Sequence, residues 1–158
     1  MASGATRVLF DTNVVAFWLR ETPGFKLPIK KVLGDLRRKK AQKFISVVTV
    51  QELEVWARHG QGEYLDKLRT FLGAHFGPPL IFDHAMAKMA AQLAAVTPRK
   101  EGATGSERKD ITNAWHRDAS IAAAAQQHGM SAVITANAKD FVAFKEHVDW
   151  ELVDVRPV

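Results

Sequence analysis

Four acidic residues that are far apart in the sequence stand where a folded chain would bring them together. Asp11 directly follows a β-prone run at residues 7–10, and Glu52 lies one helical turn beyond a second such run. Asp118 lies near the start of an alanine-rich helical stretch, and Asp140 follows a third β-prone run. Because ligands bind beyond the carboxyl ends of strands in open parallel sheets, we expect these carboxylates to meet at that edge.

Two of these acids are predicted to face inward because of the apolar residues on the same helix face. The burial of a carboxylate costs free energy unless the group is paired or binds a metal ion. This cost is the reason to suspect Glu52 and Asp118 of a function that a solvated surface acid would not have. The apolar neighbours are Val48, Val55 and Trp56 for Glu52, and Ile121, Ala122 and Ala125 for Asp118.

A divalent metal ion is the partner that these carboxylates predict. Carboxylates packed together repel one another and resist joint ionisation, and a bound cation removes that penalty. The chain has no cysteine, and its six histidines show no metal-like spacing, so a hard ion with oxygen ligands, Mg²⁺ or Mn²⁺, is expected. Such an ion lowers the pKa of a bound water and stabilises charge on a phosphodiester during in-line displacement.

Each acid also has a structural interpretation that the sequence leaves open. Asp11 could cap the helix that follows it, and Asp118 could be stabilised by a helix dipole. Glu52 could pair with a nearby arginine or lysine, and Asp140 could cap a short helix or form a salt bridge. Asn13 could be only a cap or turn residue.

A basic segment indicates a polyanionic partner. The chain has a formal net charge of +5, and residues 29–43 hold seven lysines and arginines against Asp35 alone. The apolar residues of this segment recur at helical spacing, so its charges are predicted to lie on an amphipathic helix. Such a surface can hold the phosphates of RNA, or it can be a solvated face that keeps the protein in solution. The predicted RNA-binding residues are Arg37, Arg38, Lys39 and Lys40.

The elements that must position these residues alternate between short strands and helices, which predicts an α/β fold with a mostly parallel sheet. A polar segment at residues 99–112, with Gly102 and Gly105, is predicted to be a mobile loop. Strands are predicted at residues 7–10, 42–47, 79–82, 132–135 and 151–155. Helices are predicted at residues 14–20, from 29 through the basic segment, and at 49–58, 64–72, 83–97, 113–128 and 139–146.

Four short motifs occur in one order along the chain. They are VLFDTN at residues 8–13, ISVVTVQEL at 45–53, DASIAA at 118–123 and VITANAKDF at 133–141. At these residues the sequence resembles the PIN-domain nucleases, and most closely the VapC-type toxins of bacterial toxin–antitoxin pairs. Each motif alone is weak, whereas four in order at matching spacing are fairly specific.

The resemblance implies a three-layer PIN-like fold, with a central, mostly parallel sheet of about five strands flanked by helices. It implies Mg²⁺- or Mn²⁺-dependent RNA cleavage by an endoribonuclease, a homodimer, and a VapB-type antitoxin that occupies or distorts the active site. The implied catalytic and metal-binding acids are Asp11, Glu52, Asp118 and Asp140. The implied supporting residues are Thr12, Asn13, Thr135 and Asn137, with either Asn137 or Asp140 completing the site.

Two departures from the family pattern concern the entrance of the site. The family often has arginine just before the asparagine of its last motif, where this chain has Ala136. A phosphate contact from that position is therefore not expected. The segment at residues 99–112, with an additional Asp110, leaves the shape of the entrance open.

The length of 158 residues fits a single domain spanning residues 1–158, with residues 1–6 as a flexible leader. No segment is long and apolar enough to span a membrane, and the amino terminus does not resemble a signal peptide, so a cytoplasmic protein is expected.

Three further functions are compatible with the sequence. A PIN-fold nuclease could act in RNA processing without an antitoxin, and a non-catalytic module could bind nucleic acid. A receiver-like signalling domain also gathers acids at strand ends. It needs an acidic pair after its first strand, however, and Asp11 has no adjacent acid.

Overall fold

A central parallel sheet organises the protein, whose structure is a computed structural model describing residues 4–60, 63–96 and 106–158. Within these residues, four strands lie in the order β2-β1-β3-β4. The register places Leu9 of β1 opposite Phe44 of β2 and Val133 of β3. The strands are β1 (Arg7–Phe10), β2 (Gln42–Phe44), β3 (Ala132–Thr135) and β4 (Glu151–Asp154).

Helices connect the strands and cover both faces of the sheet. Two short 3₁₀ helices, Ala138–Asp140 and Val142–His147, lie between β3 and β4. The α-helices are α1 (Thr12–Leu19), α2 (Lys26–Arg38), α3 (Val47–His59), α4 (Glu63–His75), α5 (His84–Val96) and α6 (Ser106–Gln127).

Alternate residues of the strands enter two separate hydrophobic clusters. Val8 and Phe10 pack with residues of α1 to α4 on one side of the sheet. Leu9 and Val133 pack with the alanine-rich face of α6 and with α5 on the other side. This division follows from the period of two in a β-strand. It confirms the predicted α/β architecture of three layers.

The sheet is smaller than predicted. The strand predicted at residues 42–47 ends at Phe44, because the Ser46 side chain accepts a hydrogen bond from Thr49 N at 3.2 Å and caps α3. The strand predicted at residues 79–82 is reduced to one isolated parallel bridge between Leu80 and Ser46. The two prolines before Leu80 lack the N–H groups that a longer ladder requires.

Several predicted helix boundaries were wrong: α2 begins at Lys26 rather than residue 29, α4 ends at His75 rather than residue 72, and the helix predicted at residues 139–146 is replaced by the two 3₁₀ helices. Two further differences concern the site. Helix α1 begins at Thr12 rather than Val14, because Asp11 itself caps it. Helix α6 begins at Ser106, so the second half of the loop predicted at residues 99–112 is helical, and Asp110 lies within the helix. The segment after Gly105 contains no glycine or proline, and its polar residues are tolerated in a helix. The first part of the predicted loop lies outside the described residues.

Hydrogen bonds tie both ends of the described chain to the rest of the fold. Residues 1–3 of the predicted leader lie outside the description, whereas the Thr6 carbonyl accepts a hydrogen bond from Gln42 N at 2.8 Å. At the other end, Val158 N donates to the Gly24 carbonyl at 3.0 Å. No helix within the described ranges is long and apolar enough to cross a membrane.

Candidate active site

Asp11 lies at the carboxyl end of β1, where the chain turns into α1. Its backbone N–H continues the sheet by donating to the Ile134 carbonyl at 2.8 Å. By strand alternation its side chain lies on the same face as Leu9, which packs towards α6. The residue is only 5% exposed. The sheet therefore holds a carboxyl group that is almost completely buried from solvent.

Three hydrogen bonds fix the Asp11 carboxylate and the strand end beside it. Asp11 Oδ1 accepts from Thr12 N at 2.8 Å, and Asp11 Oδ2 accepts from Thr135 Oγ1 at 2.8 Å. Thr135 is fully buried at the end of β3, and its hydroxyl in turn accepts from Asn137 N at 3.0 Å. Because Phe10 pairs with Ile134, Asp11 and Thr135 leave their strands side by side.

Burial makes Asp11 a perturbed acid. Loss of solvent raises the pKa of the Asp11 carboxyl from 3.8 to about 6, and the nearby charges of Glu52 and Asp140 also raise this pKa. The hydrogen bonds from Thr135 and from the Thr12 backbone act in the opposite direction and lower it. The site thus concentrates negative charge around a group that is poorly solvated.

Glu52 reaches the same region from α3 through a chain of hydroxyl groups. Thr12 Oγ1 donates to Glu52 Oε1 at 3.0 Å and lies 3.0 Å from Thr49 Oγ1. Thr12 has a single hydroxyl hydrogen, which Glu52 takes, so Thr49 must donate to Thr12. Ser46 Oγ lies 3.5 Å from Thr49 Oγ1 and can donate to it. The chain runs from Ser46 to Glu52 and fixes the direction of that carboxylate.

The predicted inward face of Glu52 needs correction. Its helix neighbour Val55 is 49% exposed, and the residues of α3 that are buried include Leu53 and Ala57. The Glu52 side chain is 24% exposed, and its Oε2 forms a salt bridge with Arg117 Nη1 at 3.0 Å. The pairing with arginine that the sequence left open for Glu52 is therefore present, at the edge of the core.

A pocket of about 260 Å³ brings the predicted acids together at the carboxyl edge of the sheet. Asp118 is half-buried on α6, one turn before the buried Ile121 that also lines the pocket. Asp140 enters from the 3₁₀ helix after β3 and accepts a hydrogen bond from Asn137 Nδ2. The lining residues are Asp11, Thr12, Asn13, Glu52, Arg117, Asp118, Ile121, Asn137 and Asp140.

Asn13 has a structural task at this pocket. Its Oδ1 accepts a hydrogen bond from Ala136 N at 3.2 Å, which ties the start of α1 to the turn after β3. The side chain is half-buried. The turn role that the sequence left open for Asn13 is therefore present, and it holds the two sides of the pocket at a fixed spacing.

The donor set of the pocket has the chemistry that a hard divalent cation prefers. It combines four carboxyl groups with the amides of Asn13 and Asn137, and their oxygens are the ligands that such an ion takes. Burial, and to a smaller extent the nearby Glu52 and Asp140, raises the pKa of the Asp11 carboxyl. In the described residues, however, no three acidic or histidine side chains are yet close enough to hold one ion. The Glu52–Arg117 pair directs one of these carboxylates to a guanidinium instead.

The basic cluster, Arg37, Arg38, Lys39 and Lys40, lies at the other edge of the sheet. These four exposed residues end α2 and lead into Gln42, the first residue of β2. Gln42 pairs with Arg7 at the start of β1, whereas the pocket begins at Asp11 beyond the end of that strand. The structure therefore does not bring the predicted RNA-binding residues to the pocket.

Comparisons with known proteins support the architecture through structure rather than sequence. No protein-family model and no curated protein sequence matches the chain. VapBC2 from Rickettsia felis, bound to a DNA fragment from its promoter, has a chain that superimposes with a TM-score of 0.67 at 18% identity, covering 94% of this chain and 98% of that chain. FitAcB from Neisseria gonorrhoeae gives a TM-score of 0.65 at 24% identity, with 93% and 96% covered.

A third similar structure belongs to a complex with a described biological role. VapBC-5 from Mycobacterium tuberculosis, a member of the VapBC family of toxin–antitoxin systems, gives a TM-score of 0.55 at 20% identity, with 95% and 99% covered. At such identities the likeness shows the fold alone. The chain has a PIN-like fold.

Sequence reasoning found most of the lining of this PIN-like pocket but missed three contributors. Arg117 stands four residues before Ile121, and this spacing places both side chains on one helix face. That spacing was the available signal for Arg117. Ser46 and Thr49 lie within the second motif, and only their contacts in the fold show that they orient Glu52 through Thr12.

Proposed function

We propose that the protein is a metal-dependent endoribonuclease that hydrolyses RNA phosphodiester bonds. The observation that carries this proposal is the almost completely buried Asp11 carboxyl, which has a raised pKa and lies in one pocket with three further acids. Keeping such a buried carboxyl ionised at neutral pH costs free energy, and a bound cation would offset that cost. The likeness in fold to VapBC structures supports a role related to toxin–antitoxin systems.

Asp11, Glu52, Asp118 and Asp140 are the residues that would hold Mg²⁺ or Mn²⁺. When bound, such an ion would supply a water of lowered pKa and stabilise charge on the phosphodiester. Thr135 and the Thr12 backbone would keep both oxygens of Asp11 directed by hydrogen bonds. The Thr12 hydroxyl would do the same for Glu52. Supporting groups of this kind set the orientation of metal ligands.

Asn137 and Asp140 would complete the site as a pair rather than as alternatives. The Asn137 amide donates to Asp140 Oδ2, and the Asn137 backbone is tied to Thr135. Because an amide N–H that donates to a carboxylate oxygen fixes the direction of that carboxylate, Asn137 would orient Asp140 towards the pocket.

Substitution of a single carboxyl tests the proposed activity. Asp118→Asn should lower Mg²⁺-dependent RNA cleavage by at least about 100-fold, since even the groups that merely orient ligands contribute 10- to 100-fold. Asp66→Asn, which changes an exposed acid on α4, is the matched control and should retain activity. Circular dichroism would establish that both variants are folded. Full activity of Asp118→Asn, or cleavage by the wild type in EDTA, would contradict the proposal.

We further propose that the protein is the toxin of a toxin–antitoxin pair and that a groove between α1, α2 and α4 receives the antitoxin. The groove measures about 740 Å³. An amphipathic segment with apolar anchors and an acidic rim would complement it. Its apolar lining includes Phe17, Trp18, Ile29, Leu33 and Phe71. Its rim carries Lys26, Lys30 and Lys67 together with Glu21, which forms a salt bridge with Lys26, so the rim has an excess of positive charge.

Growth experiments separate the toxin from a nuclease that acts in RNA processing alone. Expression of the wild type should arrest growth, expression of Asp118→Asn should not, and co-expression of a small protein encoded by an adjacent gene should restore growth. Charge reversal by Lys30→Glu with Lys67→Glu should reduce this rescue, whereas Lys88→Glu on the exposed face of α5 should not. RNA cleavage without growth arrest or rescue would favour the processing role.

The sequence also predicts how the protein assembles and where in the cell it acts. The homodimer and the cytoplasmic location stay predictions, and sedimentation of the purified protein would test the first. The receiver-like alternative loses further support, because such a domain also needs a phosphoryl-accepting aspartate at the end of its third strand, and β3 ends in Thr135. A non-catalytic RNA-binding module would show no difference between the wild type and Asp118→Asn in the cleavage assay.

A further inference from the structure

Arg117 is the single basic side chain among the described residues that line the acidic pocket. It projects from α6, next to Asp118, and its Nη1 lies 3.0 Å from Glu52 Oε2. The side chain remains 50% exposed, so the guanidinium stands at the mouth of the pocket rather than in the core. The pocket therefore presents one positively charged group at the place where a substrate would enter.

The charge of the pocket makes this position significant. Asp11, Glu52, Asp118 and Asp140 give the pocket up to four negative charges, and one divalent cation neutralises only two of them. A phosphodiester brings one more negative charge into the same volume. A cation at the mouth would lower the repulsion between these carboxylates and the entering phosphodiester. The basic cluster at residues 37–40 is at the opposite edge of the sheet and lies outside the lining.

In the proposed enzyme, the Glu52 carboxylate has two candidate cationic partners. A metal ion held by Glu52 would compete with Arg117 for the same carboxylate. A guanidinium has five N–H donors and a flat fork that matches the oxygens of a phosphate, whereas one carboxylate accepts at most two of those donors at once. An arginine that is half-exposed and bound through its tip can turn from the carboxylate to the phosphate without repacking the core.

We propose that Arg117 is a substrate-binding residue, which pairs with Glu52 in the metal-free protein and contacts the phosphate next to the scissile bond when metal is bound. This inference rests on the proposed nuclease function. It adds a role for a residue of this chain that the sequence motifs do not include. The Glu52–Arg117 pair then keeps the metal-free pocket partly neutral and gives way when cation and RNA enter.

The competition predicts opposite effects of one substitution on two ligands. Arg117→Ala should bind Mg²⁺ several-fold more tightly in calorimetry, because the competing cation is gone. The same variant should bind a short mixed-sequence single-stranded RNA roughly 10- to 100-fold more weakly, the range expected for a charge-assisted hydrogen bond. RNA binding would be measured with Ca²⁺, which takes the same oxygen ligands, and a gel would monitor cleavage.

Salt dependence and a conservative variant separate a substrate-binding role from a structural one. If Arg117 binds one phosphate, its removal should reduce the slope of log K against log salt by about 0.7 for single-stranded RNA. Arg117→Lys should restore most of that slope but only part of the affinity, because lysine keeps the charge and lacks the fork. Arg58→Ala is the matched control, since Arg58 pairs with Glu54 on α3 and does not line the pocket.

The outcomes distinguish this inference from the function on which it rests. RNA affinity in Arg117→Ala no lower than in Arg58→Ala would overturn the substrate-binding role. Weaker Mg²⁺ binding in Arg117→Ala would also overturn it, because Arg117 would then organise the acids instead of competing for one. No Mg²⁺ binding by the wild-type protein would overturn both proposals, whereas normal wild-type binding with an unaffected Arg117→Ala would overturn this one alone.

Discussion

Thr135 Oγ1 donates a hydrogen bond to Asp11 Oδ2 at 2.8 Å across the ends of two neighbouring parallel strands. The bond stabilises the charged form of the Asp11 carboxyl and so opposes burial, which raises its pKa. The same hydroxyl accepts the N–H of Asn137, so it also holds the turn that carries Asp140. A single buried threonine thus couples the ionisation of one predicted ligand to the position of another.

Removal of this hydroxyl should raise the pKa of Asp11 further and weaken the fold. Thr135→Val leaves the shape of the side chain almost unchanged but leaves Asp11 Oδ2 and Asn137 N without their partner. We expect a loss of about 1–3 kcal/mol in the free energy of unfolding and a shift of the acidic limb of the pH–rate profile to higher pH. Urea unfolding and rates measured across pH would show both changes.

The control for this substitution is Thr70→Val on the exposed face of α4. It should change the free energy of unfolding by no more than about 0.5 kcal/mol and leave the pH profile in place. An unshifted profile in Thr135→Val would mean that Asp11 does not govern the acidic limb.

The metal-free protein should become more stable when Asp11 is replaced. Both states are protonated below pH 3.8, so the wild-type carboxyl carries no penalty there. Between about pH 4 and pH 6 the Asp11 carboxyl ionises in the unfolded chain before it ionises in the folded protein, so the free energy of unfolding falls. Above pH 6 the full penalty remains, and the shift in pKa from 3.8 to about 6 makes it about 3 kcal/mol. The free energy of unfolding of Asp11→Asn should therefore exceed that of the wild type by up to this amount at pH 7 and by almost nothing below pH 4.

Urea unfolding in EDTA at these two pH values checks this prediction. Asp66→Asn provides the comparison, because its exposed carboxyl should give little change at either pH. Equal stability of Asp11→Asn and the wild type at pH 7 would show that burial does not penalise the Asp11 charge.

Millimolar Mg²⁺ should narrow the difference in stability between these two proteins at neutral pH. A cation that binds only the folded state stabilises it, by about 2.7 kcal/mol when its concentration is 100 times its Kd. The wild-type melting temperature should rise with Mg²⁺, whereas that of Asp11→Asn should rise much less because a ligand is missing. Identical shifts in both proteins, measured by differential scanning calorimetry, would place the ion elsewhere.

Much of the site could be predicted because it lies at strand ends. Once residues 7–10 and 132–135 are read as parallel strands, Asp11 and the turn with Asn137 and Asp140 must share an edge. The placement of the basic cluster at the other edge follows from the same topology, since it immediately precedes β2. The charge of the cluster alone does not indicate this separation from the acidic pocket.

The parts that could not be predicted depend on contacts between distant elements. The Arg117–Glu52 pair joins α6 to α3 across 65 positions, and the hydroxyl chain to Glu52 joins α1 to α3 across 40. Periodicity describes one element at a time and carries no information on such pairs. The start of α6 was missed for a different reason, because polar residues after glycine suit a loop and a helix almost equally well.

Thr12 should affect turnover more than folding. Its hydroxyl directs Glu52 Oε1, and groups that orient metal ligands contribute 10- to 100-fold to affinity or activity. Thr12→Val should therefore reduce kcat/KM by roughly this factor at limiting Mg²⁺, and Thr12→Ser, which keeps the hydroxyl, should recover most of it. Parallel calorimetry would show weaker Mg²⁺ binding in Thr12→Val alone. A serine variant as impaired as the valine variant would argue for packing instead.

The basic cluster should matter for long RNA and not for short RNA. The cluster, Arg37, Arg38, Lys39 and Lys40, lies at the amino end of the sheet. Only an RNA that extends across the protein can therefore reach both the cluster and the pocket. Neutralising all four should weaken binding of a long RNA and reduce its salt slope by about 0.7 for each phosphate that the cluster no longer binds, while a short RNA that fills only the pocket binds as before. Equally weakened binding at both lengths would require a different path for the RNA, and unchanged binding at both would leave the cluster as a solvated helix end.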